Sequence, residues 1–164
     1  MYKSAPFVAL GLGSNIGNRE AALRAALSGL APFIDIKAVS NLYETAPAYV
    51  TDQPAFLNAA AVGEAKLEPL ILLRAMKQLE SDLGREPTFR YGPRLLDIDI
   101  IFYGDRELKT PELTLPHPRL AEREFVLRPL ADIAPDWLHP VTGLTIAEML
   151  ALVPASDAKN LGPL

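Results

Sequence analysis

The segment that most constrains the fold is "LLDIDIIFY", residues 95–103. Alternate residues of a β-strand point to the same face of a sheet, so Asp97 and Asp99 share one face. The other face carries Leu96, Ile98, Ile100 and Phe102. We therefore predict a strand with an apolar core face and, on its other face, two carboxylates whose Cα atoms lie about 7 Å apart. The spacing alone fits a solvated edge strand as well as it fits a functional pair.

The order of the remaining elements predicts an α+β fold class. An apolar run at 7–13 predicts a strand, and Asn18 then caps a helix whose apolar stripe ends before Pro32. Further strands are predicted at 34–43 and 56–64, followed by a helix that begins at Pro69. This order is that of a ferredoxin-like βαββαβ core, an antiparallel sheet with helices packed on it.

The C-terminal third predicts a helical extension of that core. One helix is predicted near 119–123 and another at 145–153, where Thr145 and Glu148 form a capping-box pattern. Residues 155–164 are predicted to be a loose tail. We expect one domain, 1–164, and a monomer.

Composition excludes several classes of protein. The 164 residues are 49% hydrophobic, but no run reaches the roughly 20 apolar residues of a membrane span. The absence of cysteine excludes disulfides and thiolate metal ligands, and we expect a cytoplasmic protein that binds no membrane. The net charge of -4 argues against a nucleic-acid binder. Half of the 16 basic residues nevertheless lie between residues 85 and 128, which favours a small, highly charged anion as partner.

Basic residues flank the acidic strand on both sides. Arg94 precedes it, and the "PHP" segment centred on His117 follows it, with Arg119 and Arg123 beyond. Carboxylates that hold Mg²⁺, together with guanidinium groups that grip phosphate oxygens, are typical of phosphoryl transfer. The sequence has no G-x-x-x-x-G-K-[ST] loop, so side chains and metal would have to hold a nucleotide.

Several segments in one order resemble a known family. They are "LGSNIGNR", "YETAP", "DQPAFLNAA", "LESDLGR", "YGPRLLDIDIIFYG" and "LPHPRLAEREFVLRPLADIAPDW". Together they resemble 6-hydroxymethyl-7,8-dihydropterin pyrophosphokinase of folate biosynthesis. The resemblance implies a ferredoxin-like fold, two Mg²⁺ ions, and transfer of pyrophosphate from ATP to a pterin alcohol.

The resemblance also implies a role for individual residues. The catalytic residues would be Arg85, Arg94, Asp97 and Asp99, with both aspartates as metal ligands. The ATP site would comprise Lys77, Glu80, Arg90, Tyr91, Ile100, Thr114, His117 and Arg123. The pterin site would comprise Thr45, Ala46, Ala48, Phe56, Asn58 and Phe125. Lys77 stands where glutamine is common in the family, Tyr91 where tryptophan is frequent, and Phe56 lacks a tyrosine's hydroxyl.

Other functions remain open on the sequence alone. A ferredoxin-like regulatory module would bind a small ligand without reacting it, and a structural domain would bind no nucleotide. The local chemistry also suits an ordinary γ-phosphoryl kinase. If the chain is an enzyme, we expect the segments at 44–55 and 85–91 to close over the substrates.

Overall fold

The computed structural model of the chain describes residues 6–47, 49, 51–84 and 95–164. The strands are β1 (Phe7–Ser14), β2 (Ile34–Val39), β3 (Asn41–Thr45), β4 (Phe56–Ala65), β5 (Asp97–Tyr103), β6 (Leu108–Lys109), β7 (Thr114–Leu115) and β8 (Lys159–Pro163). The helices are α1 (Arg19–Leu30), α2 (Pro69–Asp82), α3 (Glu124–Ile133) and α4 (Ile146–Leu152), with a short 3-10 helix at Leu120–Glu122. No helix in these ranges combines the length and apolar character that crossing a bilayer requires.

The main sheet has the strand order β5-β1-β4-β3-β8, and β2 pairs with β4 beside β3. Every pairing in it is antiparallel. With α1 between β1 and β2, and α2 between β4 and β5, the chain order is that of a ferredoxin-like fold. The predicted fold class is therefore confirmed.

The first two helices begin where the sequence predicts and cover one face of the sheet. The Asn18 side chain accepts a hydrogen bond from the Ala21 N–H, 3.1 Å away, at the start of α1. Proline occupies the first position of α2, where its missing N–H leaves no helical bond unmade. Leu23, Leu30 and Met76 on these helices are fully buried against the sheet.

The last two helices cover part of the opposite face, and α3 differs from the prediction. The helix expected near 119–123 is only the short 3-10 helix, and α3 follows it as a ten-residue helix. Pro129 lies inside α3, where it removes one helical hydrogen bond. Burial of Leu127 and Leu130 against the sheet outweighs that loss. At α4 the predicted capping box of Thr145 and Glu148 is present.

The predictions for residues 34–43 and for the C-terminal tail need correction. The single strand expected at 34–43 is divided at Ser40, whose N–H donates to the Ala60 carbonyl while its Oγ accepts the Ala60 N–H. Both halves therefore remain attached to β4. The predicted loose tail is wrong, because β8 pairs with β3 and Asn41 lies opposite Pro163.

The alternation of β5 is interrupted by a β-bulge. Leu10 of β1 pairs with Ile100 and Ala9 pairs with Phe102, so Ile101 has no partner. Ile101 and Phe102 consequently both face α3 and α4, and the Phe102 ring stacks on Trp137 with centroids 5.4 Å apart. The predicted position of Phe102 on the Ile98 face is therefore wrong.

Candidate active site

A cavity of about 250 Å³ opens on the sheet face that carries α3. Gly11 and Gly13 of β1 form its floor, and Asp97 and Asp99 of β5 lie on one side. Its other lining residues are Leu12, Thr45, Ala46, Tyr49, Gln53, Phe56, Asn58, Ala59, His117, Arg123, Phe125 and Val126. Apolar walls with a few converging polar groups are typical of small-molecule sites.

The register of three strands explains why this part of the sheet is open. Gly13 lies opposite Asp97 on one side and opposite Asn58 on the other, and Gly11 lies opposite Asp99. Glycine contributes no side chain, so the acids and the amide face a shared space. Neighbouring strands lie about 4.8 Å apart, which places the Cα atoms of Asp97 and Asn58 about 10 Å from each other. The floor can therefore support a ligand that reaches from the acids to the amide.

Arg123 joins the acidic side of the cavity to α3. Its Nη1 lies 3.9 Å from Asp99 Oδ2, and its side chain is 12% exposed against 37% for Asp99. The pair thus lies at the boundary between the cavity and solvent.

The two carboxylates fit Mg²⁺ held jointly with phosphate. Across the described ranges, no group of three or more His, Cys, Asp or Glu side chains forms a metal cluster. Mg²⁺ is commonly held by one or two carboxylates, with water and substrate phosphates completing its coordination. Asp97 and Asp99 supply such carboxylates beside the cavity.

His117 is attached to the sheet through the bulge. Its N–H donates to the Ile101 carbonyl at 3.0 Å, and its Nδ1 accepts the Arg119 N–H at 3.2 Å. Burial lowers the pKa of His117 to about 4, with the positive charge of Arg123 adding to the effect and Asp97 opposing it. The imidazole is therefore neutral at pH 7, and because Nδ1 accepts a hydrogen bond, Nε2 carries the proton.

The far end of the cavity combines aromatic and amide side chains. Asn58 Nδ2 donates a 2.6 Å hydrogen bond to Thr45 Oγ1, and both residues are buried. Phe56 and Phe125 are half-buried and line the same space, with Ala46 beside them. Five of the six residues predicted to hold a pterin are thus brought together.

Four predicted ATP-site residues do not line the cavity. Glu80 is 3% exposed, and its Oε2 accepts the Ile98 N–H at 3.0 Å, so it fixes β5 between the two aspartates. Ile100 is buried in the core beneath α1 and α2. Lys77 is exposed on α2, and Thr114 is half-buried on β7. Their contacts with ATP remain predictions.

Five further predicted residues lie outside the described residues. They are Ala48, Arg85, Arg90, Tyr91 and Arg94.

The sequence did not single out several residues that shape the site. The alternation of Gly11 and Gly13 was the available signal for the open floor, whereas Tyr49 and Gln53 carried none. Asn15 Nδ2 donates to Gln53 Oε1 at 2.9 Å and to the Pro54 carbonyl at 3.0 Å. The loop that follows β3 is therefore fastened to the end of β1.

Arg19 fastens the same loop from α1. Its Nη1 donates to the Ala55 carbonyl at 3.0 Å, and its Nη2 lies 2.9 Å from Glu44 Oε2. Both ends of the loop are thus held by one residue.

Comparison with known families decides the assignment. Residues 9–135 match the model of the 7,8-dihydro-6-hydroxymethylpterin-pyrophosphokinase family. The chain belongs to this family. The predicted resemblance is confirmed, and the matched residues include the floor, the acids and both phenylalanines of the cavity.

Relatives of known name agree with this assignment. The chain is 38% identical to a 2-amino-4-hydroxy-6-hydroxymethyldihydropteridine pyrophosphokinase of Synechocystis sp. over 94% of this chain and 80% of the relative. It is 42% identical to the folic acid synthesis protein fol1 of Pneumocystis carinii over 95% of this chain and 21% of that protein. The chain therefore spans about a fifth of the length of fol1, and it corresponds to one part of such longer relatives.

A solved structure agrees on the fold. HPPK-DHPS of Plasmodium falciparum superposes with a TM-score of 0.73 at 18% sequence identity, covering 90% of this chain and 43% of that one. At this low identity the similarity shows only that the two chains share the ferredoxin-like fold.

Proposed function

We propose that this chain transfers pyrophosphate from ATP to 6-hydroxymethyl-7,8-dihydropterin, giving the pterin diphosphate and AMP. The observation that carries the proposal is that one cavity joins the Asp97 and Asp99 carboxylates to a slot lined by Phe56, Phe125 and Asn58. Membership of the pyrophosphokinase family supports the same reaction. The Synechocystis relative, which this chain matches over most of its length, is named for this activity.

The far end of the cavity suits a flat heteroaromatic acceptor. Phe56 and Phe125 offer aromatic faces against which a pterin ring packs. The Asn58 amide presents both donor and acceptor atoms, and its bond to Thr45 fixes its orientation. Asn58 and Asp97 lie on opposite sides of Gly13, so a ring held at Asn58 would have room to point its hydroxymethyl group toward β5.

The acidic side suits the triphosphate. Asp97 and Asp99 would hold two Mg²⁺ ions, which supply charge neutralisation for the phosphates and lower the pKa of a coordinated hydroxyl. Arg123 and the Nε2–H of His117, which line the same cavity, would donate hydrogen bonds to phosphate oxygens at this end. Arginine suits this role because its planar guanidinium matches the geometry of a phosphate.

The reaction is an in-line displacement at phosphorus. The hydroxymethyl oxygen forms a bond to the β-phosphorus as the bond from that phosphorus to the bridging α,β-oxygen breaks, and AMP leaves with the electron pair. The proton of the hydroxyl passes to solvent water in the same step. The residues of the cavity act by positioning the two substrates and stabilising negative charge, which is the usual source of catalysis in phosphoryl transfer.

Analysis of the nucleotide products tests the proposal. With the pterin alcohol, ATP and Mg²⁺, we expect AMP and pterin diphosphate in equal amounts, no ADP, and no turnover after chelation with EDTA. ADP as the product would make the chain a γ-phosphoryl kinase. Unchanged ATP at saturating substrate, in protein shown to be folded by circular dichroism, would favour a binding module.

A further inference from the structure

The loop after β3 places a tyrosine against the arginine of the phosphate end. We propose that Tyr49 is a positioning residue that holds the Arg123 guanidinium in the orientation required to donate to ATP phosphate oxygens. The inference rests on the proposed function and adds a residue to which the family resemblance assigned no role.

The contacts of Arg123 define this orientation. Its Nε donates to the Tyr49 hydroxyl at 3.2 Å, while its Nη1 lies 3.9 Å from Asp99 Oδ2. The guanidinium carbon lies 5.6 Å from the centroids of both the Tyr49 and Phe125 rings. A guanidinium is planar, so a hydrogen bond at Nε fixes the direction of both Nη groups. Here it directs the Nη edge toward Asp99, where the proposal places the phosphates.

A second arginine holds the tyrosine ring itself. The Arg119 guanidinium carbon lies 4.4 Å from the centre of the Tyr49 ring, which is within the range of a cation–π interaction. Arg119 is also paired with Glu122, whose Oε1 lies 2.7 Å from its Nε. The same carboxylate oxygen accepts the Tyr49 hydroxyl proton at 3.4 Å. The hydroxyl thus donates to Glu122 and accepts from Arg123, so its lone pair is oriented toward Nε.

The position of Tyr49 in its loop links substrate binding to Arg123. Asn15 and Arg19 hold residues 53–55 at the return of the loop, whereas Tyr49 reaches across the cavity to the segment before α3. Tyr49 also lines the cavity. A ligand that fills the cavity would therefore contact the residue that orients Arg123.

Steady-state kinetics of Tyr49→Phe test the inference. The variant keeps the ring and removes the hydroxyl, so we expect kcat/KM for ATP to fall about three- to tenfold, as for the net contribution of one typical hydrogen bond. The KM for the pterin should change less than twofold, because the ring still lines the cavity. The matched control is Tyr103→Phe, which removes a hydroxyl that donates to the Leu67 carbonyl at the far end of β5. This control should reduce thermal stability and leave kcat/KM for ATP unchanged.

A double-mutant cycle distinguishes positioning from an independent role. If Tyr49 acts through Arg123, Tyr49→Phe causes no further loss in an Arg123→Ala background. Additive losses, or no loss from Tyr49→Phe in an active enzyme, would overturn the inference while leaving the proposed reaction intact. Absence of AMP formation by the wild-type chain would instead overturn the proposed function, and this inference with it.

A spectroscopic readout tests the contact without turnover. In ¹H–¹⁵N spectra of the arginine Nε–H region, the Arg123 resonance, assigned from its loss in Arg123→Ala, should shift in Tyr49→Phe and stay in place in Tyr103→Phe. An unshifted Arg123 resonance in Tyr49→Phe would show that the hydroxyl does not hold the guanidinium.

Discussion

The buried imidazole of His117 makes the stability of the chain depend on pH. In an unfolded chain a histidine titrates near pH 6.5, whereas the folded structure lowers the pKa of His117 to about 4. Between these values the unfolded state binds a proton that the folded state does not. The contribution of His117 to the free energy of unfolding is therefore fully present above pH 6.5. It falls as the pH decreases toward 4 and levels off below that.

The size of the effect follows from the interval between the two pKa values. That interval of about 2.5 pH units corresponds to a ceiling of ~3 kcal/mol, since one unit is worth about 1.4 kcal/mol. Part of the ring remains solvated, so we expect about 2 kcal/mol. The variant to compare is His117→Asn, whose amide oxygen can replace Nδ1 as acceptor of the Arg119 N–H but cannot titrate.

Urea unfolding between pH 4 and pH 7.5 measures the effect. The free energy of unfolding should fall by about 2 kcal/mol more in the wild type than in His117→Asn across this range. His139, whose pKa is also lowered by burial, titrates in both proteins and cancels from the difference. Parallel curves for the two proteins would refute the argument that burial holds His117 neutral.

Four further substitutions test the site and the sheet. Asp97→Asn and Asp99→Asn should each lower kcat at least 10²-fold without loss of folding, because each removes charge needed to hold Mg²⁺; near-normal rates in the two variants would exclude the metal role. Gly13→Ala should raise the KM for the pterin about tenfold, because the new methyl would lie 3.2 Å from Asn58 Oδ1; an unchanged KM would place the acceptor elsewhere. Gly63→Ala should lower the free energy of unfolding by about 1–3 kcal/mol, because its methyl would lie 2.4 Å from a backbone oxygen of β2; a melting temperature equal to that of the wild type would contradict this.

Local signals predicted the core of the fold. Asn18 and Pro69 marked the starts of α1 and α2 because capping and the missing proline N–H act within a few residues. The family motifs also singled out Asp97, Asn58 and Phe125, which line one cavity in the structure.

The wrong or missing predictions concern elements whose structure depends on contacts between distant parts of the chain. The strand β8 is exposed along most of its length and has no periodic pattern, and only its pairing with β3 makes it a strand. Likewise, Pro129 disfavours a helix locally, but the buried face of α3 outweighs it. Tyr49 was missed because its partners lie about 70 residues away in the chain, which no local pattern records.

The β-bulge in β5 makes the position of His117 depend on the number of residues in that strand. Ile101 is one residue more than the facing part of β1 can match, and its carbonyl accepts the N–H of His117. Deleting Ile101 would give an uninterrupted ladder with Ile100 and Phe102 still on their present faces, but it would also remove a buried side chain from the core beneath α3. The His117 N–H would lose its present acceptor on the sheet. A one-residue deletion here would therefore weaken the core and loosen one wall of the cavity together, so both depend on the number of residues in β5.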